Sequence, residues 1–249
     1  MSNALIIIPT YCEQENIEKL VHNIFSLKEV FDILVIDDNS PDKTASIVEN
    51  LTKEMPGKIY LLKRPSKLGL GTAYIDGFNW ALQNHYKFIF EMDADFSHNP
   101  ADLESLLNTI QKEGVGMAVG SRYKKGVSIV HWPMGRLLLS FYASMYVRIA
   151  TGMNVRDATA GFVCYKREVL EKLDLNKINM KGYGFQIEMK FKTWKLGYEI
   201  EEVPVIFINR ELGDSKMSGG IFSEAFMGVI RMKLSSLRKN YREHISQES

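Results

Sequence analysis

Short apolar runs that alternate with helical patterns constrain this chain more than any other feature of its sequence. Residues 4–9 (ALIIIP) and 32–37 (DILVID) are almost continuously apolar, as in strands that are buried on both faces of a sheet. Helices are predicted at 13–27 and 70–82, and further strands at 58–63, 88–92 and 116–120. Because strands and helices alternate at this spacing, we predict an α/β fold with a mostly parallel central sheet flanked by helices.

The second half of the chain is less regular. A helix predicted at 134–150 is apolar around most of its circumference. Its polar residues recur at every fourth position and form one narrow stripe, which consists of Arg136, Ser140, Ser144 and Arg148. Strands are expected at 161–165 and 199–208, a helix at 183–195, and an amphipathic helix with a basic face from 221 to about 241.

Composition excludes several classes of protein. The chain has 249 residues, of which 45% are hydrophobic, so one large domain or two small ones can form a real core. Its 31 Lys and Arg residues balance 30 Asp and Glu residues, which argues against binding nucleic acid through a broad basic field. Cys12 and Cys164 form neither a disulfide framework nor a metal motif. With no signal-peptide pattern and no apolar stretch near the ~20 residues of a membrane span, we expect a cytoplasmic protein.

Polar residues follow four of the predicted strands at the point where each strand ends. Residues 9–13 (PTYCE) end the first strand, Asp37 and Asp38 the second, residues 93–95 (DAD) the fourth, and Ser121 with Arg122 the fifth. The carboxyl ends of parallel strands meet at one edge of a sheet, where α/β proteins bind their ligands. We therefore expect one binding site that draws on all four strand ends.

Asp93 and Asp95 are the sharpest of these features. Two carboxylates that are one residue apart at a strand end can face one hard cation, such as Mg²⁺ or Mn²⁺, which also takes phosphate oxygens as ligands. A cation held there would neutralise a diphosphate leaving group. A helix N-cap before Pro100 is the alternative explanation, and the neighbouring strand ends favour the metal.

Other segments suit the binding of a nucleotide and its phosphates. Asp37 and Asp38 either form a solvated turn or belong to a site in which Asp38 would accept hydrogen bonds from a nucleobase or ribose. Residues 67–71 (KLGLG) precede a helix and suit close approach of an anion. Arg210 and Lys216 lie on a loop with Gly and Ser, which suits a lid over phosphates as well as it suits an ordinary polar surface loop.

Taken together, these segments resemble the dolichol-phosphate mannosyltransferase branch of glycosyltransferase family 2, which has the GT-A fold. The resemblance covers residues 4–220, and the order and number of its motifs make it specific. The matching segments are 9–11 (PTY), 37–42 (DDNSPD), 68–74 (LGLGTAY), 92–98 (MDADFSH), 120–123 (GSRY), 157–162 (DATAGF), 182–189 (GYGFQIEM), 202–204 (EVP) and 210–218. One departure concerns Ser97, where some relatives carry a Gln that completes the metal shell.

The resemblance implies transfer of mannose from GDP-mannose to a polyprenyl (dolichyl-type) phosphate, with inversion and with a divalent metal. It implies a single catalytic domain at 1–220, with a nucleotide-binding half at 1–125 and an acceptor-binding half at 126–220, followed by a helix and tail at 221–249. The implied site residues are Pro9, Tyr11, Glu13 and Asp38 for guanosine; Asp93 and Asp95 for the metal, with the Ala94 backbone near the ribose; Arg210 and Lys216 for the diphosphate; and Arg122 and Arg136 for the acceptor phosphate. Those expected to be catalytic are Asp95, Arg122, Arg136 and Arg210.

A lipid phosphate is already an anion at neutral pH, so the expected mechanism needs no general base. Asp157 and Glu188 could each orient the sugar or an arginine. The structural alternatives are a loop cap for Asp157 and an ion pair on the helix face for Glu188. A lipid acceptor also requires contact with a membrane surface, so the 134–150 helix is either a core helix or an interfacial one. The basic C-terminal helix either lies on anionic lipid or packs on the domain, and a membrane-anchoring partner is possible.

Three alternatives stay open on the sequence alone. A related enzyme could transfer glucose or another sugar from UDP-glucose to polyprenyl phosphate. A sugar nucleotidyltransferase also uses acidic strand ends and a metal, but it should begin with a glycine-rich loop after the first strand, where this chain has PTYCE at 9–13. A catalytically silent nucleotide- or lipid-binding subunit would be expected to have lost the acidic pair or Arg210, and this chain keeps both. For the active enzyme we expect peripheral association with the cytoplasmic face of a membrane.

Overall fold

The structure, a computed structural model, describes residues 2–180, 182–208 and 220–237. Within these residues a seven-stranded sheet has the order β3-β2-β1-β4-β7-β5-β8. The elements are β1 (Ala4–Thr10), α1 (Ile17–Phe25), β2 (Asp32–Asp37), α2 (Thr44–Glu54), β3 (Ile59–Lys63), α3 (Leu70–Gln83), β4 (Phe88–Glu91), α4 (Asp102–Ile110), β5 (Val115–Ser121), β6 (Ile129–Val130), α5 (Met134–Thr151), β7 (Val163–Lys166), α6 (Arg167–Lys172), a 3₁₀ turn (Leu175–Lys177), α7 (Tyr183–Lys195), β8 (Glu199–Pro204), β9 (Phe207–Ile208) and α8 (Gly220–Ser236).

The sheet is mostly parallel, as predicted. β1 pairs in parallel with β2 and β4, and β5 does so with β8. Only β7, among the described strands of this sheet, runs antiparallel to its neighbours, β4 and β5. The inserted β7 separates β4 from β5, yet the carboxyl ends of these two strands still lie along the same edge as those of β1 and β2.

Both faces of the sheet are covered, which explains why its central strands are continuously apolar. Ile6 and Ile8 of β1 are fully buried in a cluster with residues of α1, α2 and α4. Leu5 and Ile7 face the other way, into a cluster with residues of α3, α6 and α7. Because successive side chains point to opposite faces, one apolar strand fills two cores.

The prediction of one continuous strand at 199–208 is wrong, because two separate strands occupy this range. Its first part is β8, in the main sheet, and its last part is β9, which pairs in parallel with β6 in a separate two-stranded sheet. Val205 still donates its N–H to the Ser121 carbonyl, but Ile206 is exposed and β9 departs from the main sheet there. Pro204 lies at the break, and it has no N–H with which to continue a ladder.

The two helices whose packing was open in the sequence contact each other. Val147 of α5 is buried in a cluster with Val229 and Met232 of α8. Lys233 donates from Nζ to the carbonyl of Thr151, at the C-terminal end of α5, over 2.9 Å. The described part of α8 therefore packs on the domain, and the predicted residues beyond 237 lie outside the described chain. No helix among the described residues combines the length and apolarity that crossing a membrane requires.

Candidate active site

The ends of β1 and β2 form the first side of the cleft. Thr10 donates from its hydroxyl to Asp37 over 2.9 Å, and the N–H of Asp38 donates to the Thr10 carbonyl over 3.0 Å. Asp37 also accepts from the backbone and the hydroxyl of Ser40. Both carboxylate oxygens of Asp37 therefore accept hydrogen bonds from Thr10 and the turn after β2. Asp38 is the other acidic residue at this strand end and the one that we assign to a ligand.

Asp38 is held by Arg64, which the sequence did not single out. Arg64 follows β3 directly and is buried, and its guanidinium donates to Asp38 over 2.8 Å. The same group donates to Thr72 at 2.6 Å and lies 3.2 Å from Asp76 of α3. Arg64 therefore links the end of β2 to the start of α3. Its position at the carboxyl end of a predicted strand was the signal that could have revealed it.

Asp93 and Asp95 line one polar pocket of about 220 Å³, together with Ser97 and His98. The N–H of Ser97 donates to Asp95 over 3.1 Å, and the N–H of Asp93 donates to Nδ1 of His98 over 3.2 Å. Burial lowers the pKa of His98 to about 4, although Asp95 acts in the opposite direction. His98 is therefore neutral at physiological pH and does not cancel the charge of the two carboxylates.

These residues fit a divalent metal. Within the described chain, no three His, Cys, Asp or Glu side chains form a complete metal cage. The hydroxyl of Ser97 is buried in the pocket and has no hydrogen-bond partner among the described residues. Two carboxylates and an unpartnered hydroxyl suit a cation that takes its remaining ligands from water and substrate phosphate, which is how Mg²⁺ is commonly bound.

Arg122, at the end of β5, is buried and oriented by Asp157. Its Nε and Nη2 donate to the two carboxylate oxygens over 2.7 and 2.5 Å, and Nη2 also reaches Thr159 at 2.9 Å. Burial alone would lower the pKa of Arg122, but Asp157 raises it above its ordinary value. Glu202 of β8 accepts the N–H groups of residues 156 and 157 and so fixes the loop that carries Asp157. Of the two open roles for Asp157, the geometry selects orientation of an arginine.

Arg136, in the first turn of α5, lies where the polar pocket meets an apolar one. Its guanidinium lies 4.1 Å from the ring centre of Trp132. The apolar pocket has a volume of about 300 Å³ and is walled by α5, α7 and α8. Five residues line both pockets, namely Arg122, Trp132, Arg136, Thr159 and Tyr183. The two arginines predicted for one role are therefore brought to the boundary between a polar and an apolar space.

Of the other predicted residues, some lie at the end of β1 or beside the aspartates, one lies away from the pockets, and two lie outside the described residues. Pro9, Tyr11 and Glu13 are in or just after β1, where Lys67 covers the Tyr11 ring at 4.0 Å and Glu13 accepts from Asn16 at 3.0 Å. Ala94 is buried between the two aspartates. Glu188 does not enter the pockets: it pairs with Lys192 at 2.8 Å and accepts the N–H groups of residues 179 and 180. Arg210 and Lys216 lie outside the described residues.

A buried polar network supports the floor of the polar pocket. Gln186 lines the pocket and donates to Glu91, which also accepts from Tyr165 at 3.1 Å. Lys190 donates to the Ala160 carbonyl over 2.6 Å and to Gln186 over 3.2 Å. Burial raises the pKa of Glu91 to about 7 and lowers that of Lys190 to about 8. The charged residue that ends the apolar β4 run (FIFE) was the only sequence signal for this network.

A nucleotide-sugar transferase of the GT-A type is the class of protein that this sheet and its acidic edge define. The fold matches glucosyl-3-phosphoglycerate synthase from Mycobacterium tuberculosis, crystallised with Mn²⁺ and UDP, with a TM-score of 0.65, 18% identity, and coverage of 94% of this chain and 79% of that one. It also matches a mannosyltransferase from Pyrobaculum calidifontis, in complex with GDP-Man and Mn²⁺, with a TM-score of 0.57 and 18% identity over 95% of this chain and 74% of that one. At such identity these likenesses concern the fold alone.

Sequence relatives identify the family. Residues 5–174 match the model of Glycosyl transferase family 2. A polyprenol monophosphomannose synthase from Mycolicibacterium smegmatis is 44% identical over 90% of this chain and 84% of its own length. An undecaprenyl-phosphate mannosyltransferase from Micrococcus luteus is 42% identical over 97% of this chain and 98% of its own. The chain belongs to glycosyltransferase family 2, and the enzyme class and fold expected from the sequence are confirmed.

Proposed function

We propose that this enzyme transfers mannose from GDP-mannose to a polyprenyl (dolichyl-type) phosphate, with inversion, to give polyprenyl-phosphate-mannose and GDP. One observation carries the proposal: Arg122 and Arg136 lie on the wall shared by a polar pocket with two aspartates and an apolar pocket of about 300 Å³. An acceptor phosphate at that wall would have its apolar chain in one pocket and would face the sugar diphosphate of the donor in the other. The names of the two sequence relatives support the same substrates.

The proposed chemistry is a single displacement. An oxygen of the acceptor phosphate attacks the anomeric carbon of mannose, and the bond from that carbon to the diphosphate breaks, with its electron pair leaving on GDP. The attacking phosphate is already an anion, so no side chain has to remove a proton. Asp93 and Asp95 would hold the Mg²⁺ or Mn²⁺ ion, which when bound neutralises the leaving diphosphate.

Arg122 and Arg136 bring the acceptor phosphate to the sugar. Nε and Nη2 of Arg122 donate to Asp157, while Nη1 makes no hydrogen bond within the described chain. Arg122 therefore keeps donor capacity on a guanidinium that its partner holds in a fixed orientation. Such preorganised positive charge lowers the repulsion between two anionic substrates without reorganisation at the moment of reaction.

The remaining residues of the proposed site bind the donor. Pro9, Tyr11, Glu13 and Asp38 hold the guanosine, with the Ala94 backbone near the ribose, and Arg210 and Lys216 hold the diphosphate. Residues 1–220 then form the catalytic domain, divided near 125 into donor and acceptor halves, and 221–249 form an appended helix and tail. The burial of Asp38 beside Arg64 supports a fixed acceptor for the base, since an ion pair holds the carboxylate in one orientation.

The enzyme reaches its lipid substrate by peripheral contact with a membrane. The outer face of α5 exposes large apolar side chains, of which Met134 and Ile149 are the most exposed, at 68% and 77%. Two of the exposed residues, Leu139 and Tyr142, also line the apolar pocket. Further exposed apolar residues of this face are Leu138, Leu139, Phe141, Tyr142 and Met145, and those of α8 are Phe226, Met227, Ile230 and Leu234. A contiguous apolar surface of this kind marks an interaction site, and its position suits the boundary layer of a bilayer.

A transfer assay with labelled GDP-mannose and polyprenyl phosphate tests the proposal. We expect mannosyl-phospholipid to form only with added Mg²⁺ or Mn²⁺, and much less product from UDP-glucose. Asp95→Asn should lower kcat/KM by at least ~10³-fold, because it removes one of the two carboxylates proposed to hold the metal. Asp174→Asn, at an exposed surface ion pair, is the matched control. Equal transfer with chelator present, or preference for UDP-glucose, would contradict the proposal.

The acceptor role of the arginines has its own test on α5. Arg136→Ala should raise the KM for polyprenyl phosphate at least ~10-fold and change the KM for GDP-mannose less than about twofold, since the donor binds at the other side of the wall. Arg148→Ala, an exposed arginine on the same helix, should leave both values unchanged. An equal rise of both KM values in Arg136→Ala would rule out the acceptor role.

A further inference from the structure

Trp132 lies on the wall that the two pockets share. It belongs to the lining of both pockets. The guanidinium carbon of Arg136 lies 4.1 Å from its ring centre and that of Arg122 lies 5.4 Å away. Both distances fall within the ~6 Å over which a cation is attracted to an aromatic ring. One indole therefore contacts both of the cations that the proposed mechanism places on the acceptor phosphate.

The backbone around Trp132 fixes where the indole lies. His131 has a φ of 62°, in the left-handed region, and it turns the chain out of β6. Pro133 is the N-cap residue of α5, and its carbonyl accepts the N–H of Arg136 over 3.0 Å. Trp132 is thus held between a sharp turn and the first turn of the helix that carries Arg136. Phe207 of β9 packs edge-on against the indole, with ring centres 5.3 Å apart.

The indole is held by its ring and not by its N–H group. Nε1 is buried and has no hydrogen-bond partner among the described residues. The energetic value of this side chain therefore lies in packing and in attraction to the two cations. A phenyl ring could supply both, because the group it lacks makes no bond, whereas an aliphatic side chain could supply only the packing.

We propose that Trp132 is a positioning residue for the acceptor: its ring holds Arg136 at a fixed place relative to Arg122, so that one phosphate can contact both guanidinium groups. This inference rests on the proposed function. Arg122 is already oriented by Asp157 through two hydrogen bonds. Arg136 begins an exposed helix, and the aromatic ring provides a stacking surface that orients its planar group.

A double-mutant cycle tests the inference, with binding of farnesyl monophosphate measured by calorimetry in the absence of donor. Trp132→Met should weaken binding about tenfold, equivalent to roughly 1.4 kcal/mol, and Trp132→Phe should restore most of that loss. In an Arg136→Ala background Trp132→Met should have almost no further effect, because the residue acts through Arg136. Donor KM values should stay within about twofold of the parent in each variant.

Several outcomes would overturn the inference. If the inference holds, Trp132→Met weakens binding by a larger factor with Arg136 present than in the Arg136→Ala background, so equal factors in the two backgrounds would refute it. A Trp132→Phe variant as weak as Trp132→Met would refute it too, since the aromatic face is retained. Thermal unfolding identifies any variant that fails to fold, and Trp132→Leu, which also removes the aromatic face, replaces Trp132→Met in the cycle if that variant does not fold. Failure of the wild-type protein to bind farnesyl monophosphate would instead count against the proposed function.

Discussion

Helices α5 and α7 line the same apolar pocket, but α7 buries several polar side chains, whereas α5 exposes most of its apolar ones. Four polar residues of α7 are inside: Gln186, Glu188, Lys190 and Thr193 are all buried. The apolar residues of α5 are largely outside, and its described buried residues are only Ser144, Val147 and Thr151. Burial of polar groups requires partners, and α7 has them in Glu91 and the Ala160 carbonyl. Helix α7 thus supports a charged site from within, whereas α5 presents exposed apolar side chains on the outside of the fold.

The largest expected effect is the loss of a charge from α7. Lys190→Met should lower the free energy of unfolding by about 3 kcal/mol, because it leaves Glu91 without its compensating charge and the Ala160 carbonyl without a donor. Urea denaturation measures the change. The double variant Glu91→Gln, Lys190→Met should recover part of the loss. An effect below about 1 kcal/mol would mean that the buried network is not needed for the stability of α7.

Removing apolar residues from α5 should affect membrane binding and not stability. Met134→Ser, Leu138→Ser and Ile149→Ser together should weaken binding to anionic phospholipid vesicles at least about tenfold, since each exposed side chain would lose contact with lipid. The free energy of unfolding should change little, because these side chains are exposed in the fold. Vesicle flotation and urea denaturation on the same preparation separate the two. A large loss of stability would show that this face is covered by protein.

The inner face of α5 should behave like an ordinary packed surface. Tyr146 donates to the carbonyl of Phe226 in α8 over 3.0 Å, and the two rings stack 4.3 Å apart. Tyr146→Phe removes the hydrogen bond and keeps the ring, so we expect a loss of about 1 kcal/mol in the free energy of unfolding. Tyr142→Phe, on the exposed face of the same helix, is the matched control and should cost less than about 0.5 kcal/mol.

The smallest expected effect has the opposite sign. Ser144 is buried on α5, and its hydroxyl has no hydrogen-bond partner among the described residues. Ser144→Ala should therefore leave stability unchanged or raise it by up to about 1 kcal/mol, because it removes an unsatisfied polar group and improves helix propensity. A loss larger than this in thermal or urea unfolding would mean that the hydroxyl has a bound partner, such as a buried water.

Much of the acidic edge of the sheet could be predicted from the sequence because its signals are local. β2 (Asp32–Asp37) begins and ends where the apolar run predicts, and Asp93 and Asp95 share one pocket as their spacing suggests. Arg64 was missed because its partners, Asp38 and Asp76, come from other elements. Trp132 was missed because Arg122, one of the two arginines at its ring, comes from the end of β5, although Arg136 is only four residues along the chain.

The sequence by itself determined the α/β architecture, the acidic edge of the sheet and the family, because apolar periodicity and the ends of strands are written in consecutive residues. Only the tertiary structure decided which of two apolar-looking surfaces is core and which is exposed. Helix α5 has the composition of a core helix, yet its buried side follows part of its polar stripe. The reason is that burial depends on which face meets α7 and α8, and that choice is made by packing between elements far apart in the chain.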